Sequence, residues 1–237
     1  MKLSNKFLAS ILCLSLAGGL TACGASDKKD SSNKDEKKTE QKVDNKAVDE
    51  VGGVSLKNPI KVDKQAKTVT VLSSVNGKYF TENTRHASVQ KDGSNGTKSV
   101  FTAYATPEDF YNGLIAIGGK PGNNMTPDNA MKTHVEGSKI KATVKWNGSQ
   151  KDYDINEVIK DSNGKKIDFR FGGNLERAKT KKTGCLACLD SCPVGIISNT
   201  TYTMGAVEKR GEVKFNGNQD ILPEDGTYVA ITYSIAE

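Results

Sequence analysis

The chain has 237 residues, of which 35% are hydrophobic, and its 34 basic and 28 acidic side chains give a net charge of +6. This length suits one or two ordinary domains. No basic stripe interleaved with aromatic residues is visible, so the composition argues against nucleic-acid binding and favours a solvated surface of mixed charge. We therefore expect no nucleic-acid partner.

The first 22 residues have the pattern of a secretory signal peptide. Lys2 and Lys6 are followed by an apolar run over residues 7–16 and then by small residues. The run is too short to span a bilayer comfortably. No second apolar run of about 18 residues follows, so nothing after this leader is expected to cross a membrane.

The sequence Leu20-Thr21-Ala22-Cys23 resembles the lipobox of bacterial lipoproteins, in which the cysteine receives a diacylglyceryl thioether. Two acyl chains are what durable membrane attachment requires. We therefore predict that residues 1–22 are a lipoprotein signal peptide and that Cys23 carries the lipid, of the palmitate type. The protein is then expected at the extracytoplasmic face of the cell membrane. An ordinary signal peptide with a cysteine near its cleavage site is the alternative.

The segment that follows is predicted to be a tether. Residues 24–50 are almost entirely Lys, Asp, Glu, Ser, Asn and Gln. Such a composition cannot bury enough apolar surface to offset the entropy of the chain. We predict that residues 23–52, with the lipidated cysteine at their start, form a disordered charged tether that holds a domain clear of the membrane.

From residue 53 onward, short alternating segments and turn signals predict a mainly β domain. Strands are expected near residues 69–71, 99–105, 140–146, 167–171 and 229–235, with a hairpin around Asn147-Gly148. Thr106-Pro107-Glu108-Asp109 predicts a helix start, and residues 174–182 predict a second helix that leads into the cysteines. We predict one α+β domain over residues 53–237, an antiparallel sheet or sandwich with one or two short helices.

Every cysteine after Cys23 lies in one stretch, at positions 185, 188 and 192. Their spacing, followed by Pro193, resembles the last three ligands of a bacterial ferredoxin run, C-x2-C-x2-C-x3-C-P. The leading cysteine of that run is replaced by Lys182. A metal or cluster bound by Cys185, Cys188 and Cys192 therefore needs a fourth ligand, for which the candidates are His86, His134 and Asp190.

Four interpretations of the three thiols remain open at this point. An exported protein with an odd number of mature thiols predicts one disulfide and one free cysteine. Three thiolates with a borrowed fourth ligand can hold an iron-sulfur cluster. A Cys3His set is also a legitimate closed site for zinc or another structural metal. Finally, the cysteines can be buried and inert.

Three segments together resemble the YdjY-type domain: Ala-Ile-Gly-Gly-Lys-Pro-Gly at residues 116–122, Arg-Phe-Gly-Gly-Asn at 170–174, and the cysteine stretch at 183–195. The resemblance covers most of the chain after the tether. That family occurs in exported bacterial proteins and lipoproteins and carries an iron-sulfur, ferredoxin-type label based on this cysteine stretch. The resemblance therefore implies a 4Fe-4S cluster as the cofactor.

The expected function is that of a membrane-anchored extracytoplasmic lipoprotein whose cysteines serve iron-sulfur electron transfer or thiol redox chemistry with a partner protein. The alternative is a non-redox binding or scaffold module of the cell envelope, in which the cysteines form a disulfide staple or a structural metal site. The chain lacks the G-x-S-x-G, H-E-x-x-H and phosphate-binding glycine motifs, so no catalytic residue is predicted and we favour a protein that is not an enzyme.

Overall fold

The computed structural model describes residues 50–236. The predicted signal peptide, Cys23 and nearly all of the predicted tether lie outside the described residues. Within the described part of the chain, every helix is too short or too polar to cross a membrane.

The described residues form many short strands and few helices. Only two strands, β2 and β12, reach eight residues. The strands are β1 (Ile60–Asp63), β2 (Thr68–Val75), β3 (His86–Gln90), β4 (Phe101–Ala103), β5 (Lys139–Lys145), β6 (Tyr153–Asp154), β7 (Ile159–Asp161), β8 (Phe169–Phe171), β9 (Cys185–Cys188), β10 (Ile197–Asn199), β11 (Phe215–Gly217) and β12 (Tyr228–Ile235). The helices are α1 (Pro107–Ala116), α2 (Ile155–Val158) and α3 (Leu175–Lys181), with a 3-10 turn at Gly77–Phe80.

Eight of the strands close into a barrel. Their order is β2-β12-β5-β8-β10-β9-β3-β4, and β4 pairs back onto β2 through Val75 opposite Phe101 and Ser73 opposite Ala103. β1 pairs with the other half of the same β2 edge, and β6 pairs with β5. β7 and β11 form a separate two-stranded sheet.

The prediction of an antiparallel sheet or sandwich was therefore wrong, although its mainly β character with few helices was right. Two pairs in the ring are parallel, β3 with β4 and β9 with β10. The closing strand β4 has only three residues. Pairings between such short and distant segments leave no local periodicity in the sequence, so the ring could not be recognised from it.

Several local predictions are confirmed. The helix α1 begins after Thr106, whose hydroxyl accepts the amide hydrogen of Asp109 at 3.0 Å. This contact satisfies one of the free amide groups at the start of the helix. The predicted hairpin is present, since β5 pairs with β6 through Val144 and Tyr153. Residues of β5 alternate between buried and more exposed positions, as a strand with one face in water requires.

The main apolar core is formed by the inward residues of the barrel together with α1. The ring of Phe110 lies 4.7 Å from that of Tyr233, centroid to centroid, and both side chains are fully buried. A smaller cluster covers the outer side of β2 and β12, where Val51 and Val54 pack against Leu72 and Ala230. A further separate cluster contains Val89, Val194 and the three cysteines.

Barrel closure gives a stability prediction at Phe101, a fully buried side chain on the closing strand. Phe101→Ala should lower the free energy of unfolding by about 3–5 kcal/mol, because it removes a large apolar side chain and leaves a cavity. The control, Leu56→Ala at a 44% exposed position, should change it by less than about 0.5 kcal/mol. Urea denaturation followed by circular dichroism measures both. Equal losses in the two variants would contradict the closed arrangement.

Candidate metal centre

The three cysteines are brought together by irregular pairing between β3 and β9. His86 lies opposite Cys188, Ser88 opposite Ala187, and Val89 opposite Cys185. From His86 to Ser88, β3 advances by two residues while β9 changes by one, from Cys188 to Ala187. From Ser88 to Val89, β3 advances by one residue while β9 changes by two, from Ala187 to Cys185. Each register shift inserts one extra residue into one strand, which is the definition of a β-bulge.

The bulges decide which way the side chains point. In a regular strand, residues three apart face opposite sides, so a C-x2-C segment would separate its two thiols. Here Leu186 and Ala187 both belong to the main core. Cys185 and Cys188 lie together in the separate cysteine cluster. The extra residue in β9 therefore puts both thiols on the same face of the barrel wall.

His86 completes a compact group with these two thiols. Its Nδ1 atom lies 3.7 Å from the Sγ atom of Cys185 and 4.0 Å from that of Cys188. All three ligand atoms lie within 4.8 Å of one another, and all three residues are buried. Imidazole nitrogen and thiolate sulfur are ligands that soft and borderline metals prefer. This group can hold a metal ion.

Cys192 lies beside this group but is not one of its three members. It packs with Cys185 and Cys188 in one buried cluster, and the thiol of Cys188 interacts with both of its neighbours. The three cysteines are buried and none is in a disulfide. Cys188 is therefore the central thiol of the three.

A loop after β9 covers the thiols. The amide of Gly195 donates a hydrogen bond to Cys192 Sγ at 3.4 Å. A Cβ atom at position 195 would lie only 2.8 Å from Cys188 Sγ, so glycine is what allows the loop to pass this close. The side chain of Asn174 donates hydrogen bonds to the carbonyls of Cys192 and Gly195, and Arg177 donates one to the carbonyl of Pro193. Residues at the start of α3 thus hold the cover in place.

A second segment approaches from the other side. The amide nitrogen of the Asn95 side chain lies 4.0 Å from Cys185 Sγ. The loop that carries Asn95 packs backbone to backbone against the residues before β9, because a Cβ atom at Gly93 would lie 2.4 Å from the carbonyl oxygen of Thr183. The thiols are consequently enclosed on both sides.

A buried ion pair borders the site. Arg85, next to His86 in the chain, donates hydrogen bonds to Asp190 Oδ1 from Nε at 3.0 Å and from Nη2 at 2.5 Å. The other oxygen of Asp190 accepts the amide hydrogen of Gly205 at 2.9 Å. Burial lowers the pKa of the Arg85 guanidinium, but the Asp190 carboxylate and the Cys192 and Cys188 sulfurs raise it more, so Arg85 stays charged.

The thiols differ in their readiness to ionise. Interaction with the Cys188 thiol lowers the pKa of Cys185 despite burial, and His86 adds to this effect. Interaction with Cys188 also lowers the pKa of Cys192 to about 7, against burial and with help from the Arg85 charge. The two neighbouring thiols, together with burial, raise the pKa of Cys188. Cys188 is thus the least acidic of the three thiols.

The structure separates the three candidates for a fourth ligand. His86 lies in the thiol group, as described above. The carboxylate of Asp190 is occupied by Arg85 and Gly205. His134 is exposed, and its Nδ1 lies 2.5 Å from the carbonyl oxygen of Thr200, outside the thiol group.

The spacing of the ligand atoms bears on what the group can hold. Bonds of about 2.0–2.3 Å to one tetrahedral ion place neighbouring ligand atoms about 3.3–3.8 Å apart. The two nitrogen–sulfur distances of 3.7 and 4.0 Å are close to this range. A four-iron cluster binds each thiolate through a different iron and therefore spreads its ligands wider. The donor set is tighter than such a cluster needs and fits a single ion.

Sequence reasoning missed several residues that build this site. Arg85 precedes His86 directly, and a basic residue beside a candidate ligand was an available signal for charge compensation. Gly195 follows Cys192 by three positions, where the need for close approach cannot be recognised without the fold. Asn174 is 18 residues from Cys192, and nothing in the sequence links the two.

Fold and site together define the class: a small closed β-barrel with a buried Cys–His group on the outer side of its wall. The chain belongs to the YdjY domain family, whose family model matches residues 60–234. A protein of Escherichia coli strain K12 titled "Uncharacterized protein YdjY" is 53% identical over 226 residues, which cover 95% of this chain and 93% of the relative. No solved structure matches the chain.

The buried ion pair gives a second stability prediction. Asp190→Ala should lower the free energy of unfolding by about 3–5 kcal/mol, because it leaves the Arg85 charge buried without its partner. Replacing both residues, Arg85→Met with Asp190→Leu, should recover most of this loss. Urea denaturation in reducing buffer with a chelator keeps any bound ion from contributing.

The matched control for this prediction is Asp220→Ala, which breaks the exposed pair between Lys160 and Asp220. Its effect should stay below about 1 kcal/mol, since water solvates both charges. A loss at Asp190 no larger than the loss at Asp220 would contradict the structural importance of the buried pair.

Proposed function

We propose that this protein binds one soft or borderline metal ion, with zinc and Cu+ as the leading occupants, between His86, Cys185 and Cys188. The observation that carries the proposal is the convergence of one imidazole nitrogen and two thiols within 4.8 Å of one another. Cys192, in contact with Cys188, is the nearest further donor. A set of three cysteines and one histidine is a recognised closed site for zinc, and thiolates select Cu+ and zinc.

Burial supports a binding role over a catalytic one. Relative exposure is 6% at His86, 2% at Cys185, 0% at Cys188 and 5% at Cys192. Catalytic zinc sites keep a coordination position open for water or substrate, whereas structural sites are closed by protein ligands. An enclosed centre of this kind favours a protein that holds an ion over an enzyme that works on a substrate.

Charge balance supports an ion that binds thiolates. Metal binding requires the cysteines to lose their protons, which accumulates negative charge in a buried place. The Arg85 guanidinium lies near Cys192 and Cys188, and Asp190 and the cysteines hold it in its charged form. This positive charge stabilises the thiolates before and after an ion is bound.

The cellular setting is part of the proposal. The predicted lipobox and leader support a lipoprotein anchored through Cys23 at the extracytoplasmic face of the membrane, with the barrel carried on a charged tether. In that compartment disulfides form and persist. The predicted 4Fe-4S cluster, with its electron-transfer partner, is the competing proposal, which the family resemblance favours and the ligand spacing opposes.

The metal proposal predicts one tightly bound ion per chain. Protein purified without oxygen should bind Zn2+ or Cu+ in a ratio of one to one, measured by elemental analysis after gel filtration. Cys188→Ser removes the central ligand and should weaken binding by more than about 100-fold, since even changes outside the ligand set cost 10–100-fold. His134→Ala, a change outside the site, should bind as the wild type does.

Two outcomes of these measurements would contradict the proposal. Stoichiometric iron with acid-labile sulfide and visible absorbance would support the cluster and contradict a single ion. Equal affinities of the wild type and the Cys188→Ser variant would place the ion elsewhere.

The anchor is tested separately. Cys23→Ser removes the lipid attachment point, so the variant should appear in the soluble fraction or accumulate with an uncleaved leader. Fractionation of cells followed by immunoblotting measures both outcomes. Unchanged membrane association of the variant would overturn the lipoprotein assignment.

A further inference from the structure

Cys188 belongs to two groups at once. It is one of the three residues of the metal group, with His86 and Cys185. It also lies beside Cys192, outside that group: the amide of Gly195 donates to Cys192 Sγ at 3.4 Å, and a Cβ atom at the same position would lie 2.8 Å from Cys188 Sγ. A single sulfur cannot serve fully in both, because a sulfur in a disulfide is no longer a thiolate ligand.

We propose that Cys188 and Cys192 form a reversible disulfide that withdraws Cys188 from the metal group, so that oxidation of the protein releases its ion. This inference rests on the proposed metal site and adds a redox control of metal binding at that site. The oxidant is a disulfide, which the extracytoplasmic compartment supplies.

The backbone determines which pair can form the bond. Cys185 and Cys188 both belong to β9, and both are paired in register with β3, opposite Val89 and His86. Disulfides need Cα atoms within about 7 Å and a narrow range of torsion angles. Two residues fixed in one strand cannot adjust to this geometry without breaking the pairing. Cys192 follows the end of the strand and lies in the covering loop, outside the paired register of β9 and β3.

The contacts that hold the covering loop are made mainly with its backbone. Asn174 and Arg177 bind carbonyl groups of the loop, at Cys192, Pro193 and Gly195. The sulfur of Cys192 accepts the amide hydrogen of Gly195 at 3.4 Å. Rotation of the Cys192 side chain towards Cys188 therefore costs one long hydrogen bond and keeps the loop anchored.

The exchange proceeds in two balanced steps. Cys192 lies in the loop after β9, whereas Cys185 and Cys188 are held within the strand, so Cys192 is the thiol assigned to react with the external disulfide. Its thiolate attacks one sulfur of that disulfide, a mixed disulfide forms, and one external thiolate leaves. The sulfur of Cys188 then attacks the Cys192 sulfur and expels the second external thiolate, which takes up the proton that Cys188 loses. The two cysteines lose two electrons together, and the external disulfide gains them.

The test loads the full-length protein with Zn2+ and adds oxidised glutathione. We expect the wild type to lose its zinc, measured with a chelating dye, and to regain it after reduction and addition of Zn2+. We expect Cys192→Ser to keep its zinc under the same oxidant, because Cys188 then has no partner. Mass spectrometry of the oxidised wild type should show a bond between Cys188 and Cys192. Zinc loss from Cys192→Ser at the wild-type rate, or a bond between Cys185 and Cys188, would overturn the inference.

A second variant keeps this inference separable from the metal proposal. Cys185→Ser removes a metal ligand but keeps both members of the disulfide pair, so it should form the Cys188–Cys192 bond with oxidised glutathione. If the reduced wild type binds no ion, the metal proposal fails, while the disulfide in Cys185→Ser still reports on the pair. If Cys185→Ser forms no such bond, the redox control fails whatever the wild type binds.

Discussion

The site depends on the paired register shifts between β3 and β9. Successive side chains of a strand point to opposite faces of the sheet. One extra residue in a bulge exchanges the faces to which all later side chains of that strand point. The shift in β9 puts Cys185 and Cys188 on one face, and the shift in β3 keeps His86 opposite Cys188. With regular pairing, one of the two thiols would enter the main core and the group would not exist. The candidate metal group therefore rests on two irregularities in a single strand pair.

These irregularities also explain why the site has its own covering. The thiols face away from the barrel core, so burial has to come from elsewhere. The loop after β9, fixed by Asn174 and Arg177, supplies one side of the cover, and the loop containing Asn95 supplies the other. The close approach of Gly195 to Cys188 and the Arg85–Asp190 pair complete a small enclosed volume with one compensating positive charge. Enclosure and charge together make the thiols suitable ligands.

Local features of this fold could be predicted from the sequence, and long-range ones could not. The cap at Thr106, the hairpin around residue 147 and the strand at β12 each have a pattern within a few residues. Barrel closure depends on β2 meeting β4, and the site depends on residue 86 meeting residues 185 and 188, about 100 positions away. The cysteine spacing pointed to the segment that carries two of the three residues of the candidate metal group. It could not reveal the bulges, because a bulge is a property of two strands and not of one.

Val51 and Val54, near the start of the described residues, pack on the outer side of β2 and β12. Around the ring, β9 lies three strands from β2, close to the far side of an eight-stranded circle. The chain therefore joins the barrel on one flank while the thiols occupy nearly the opposite one. Substitutions at Val51 or Val54 therefore act on the β2 and β12 flank and leave the contacts of the thiols unchanged.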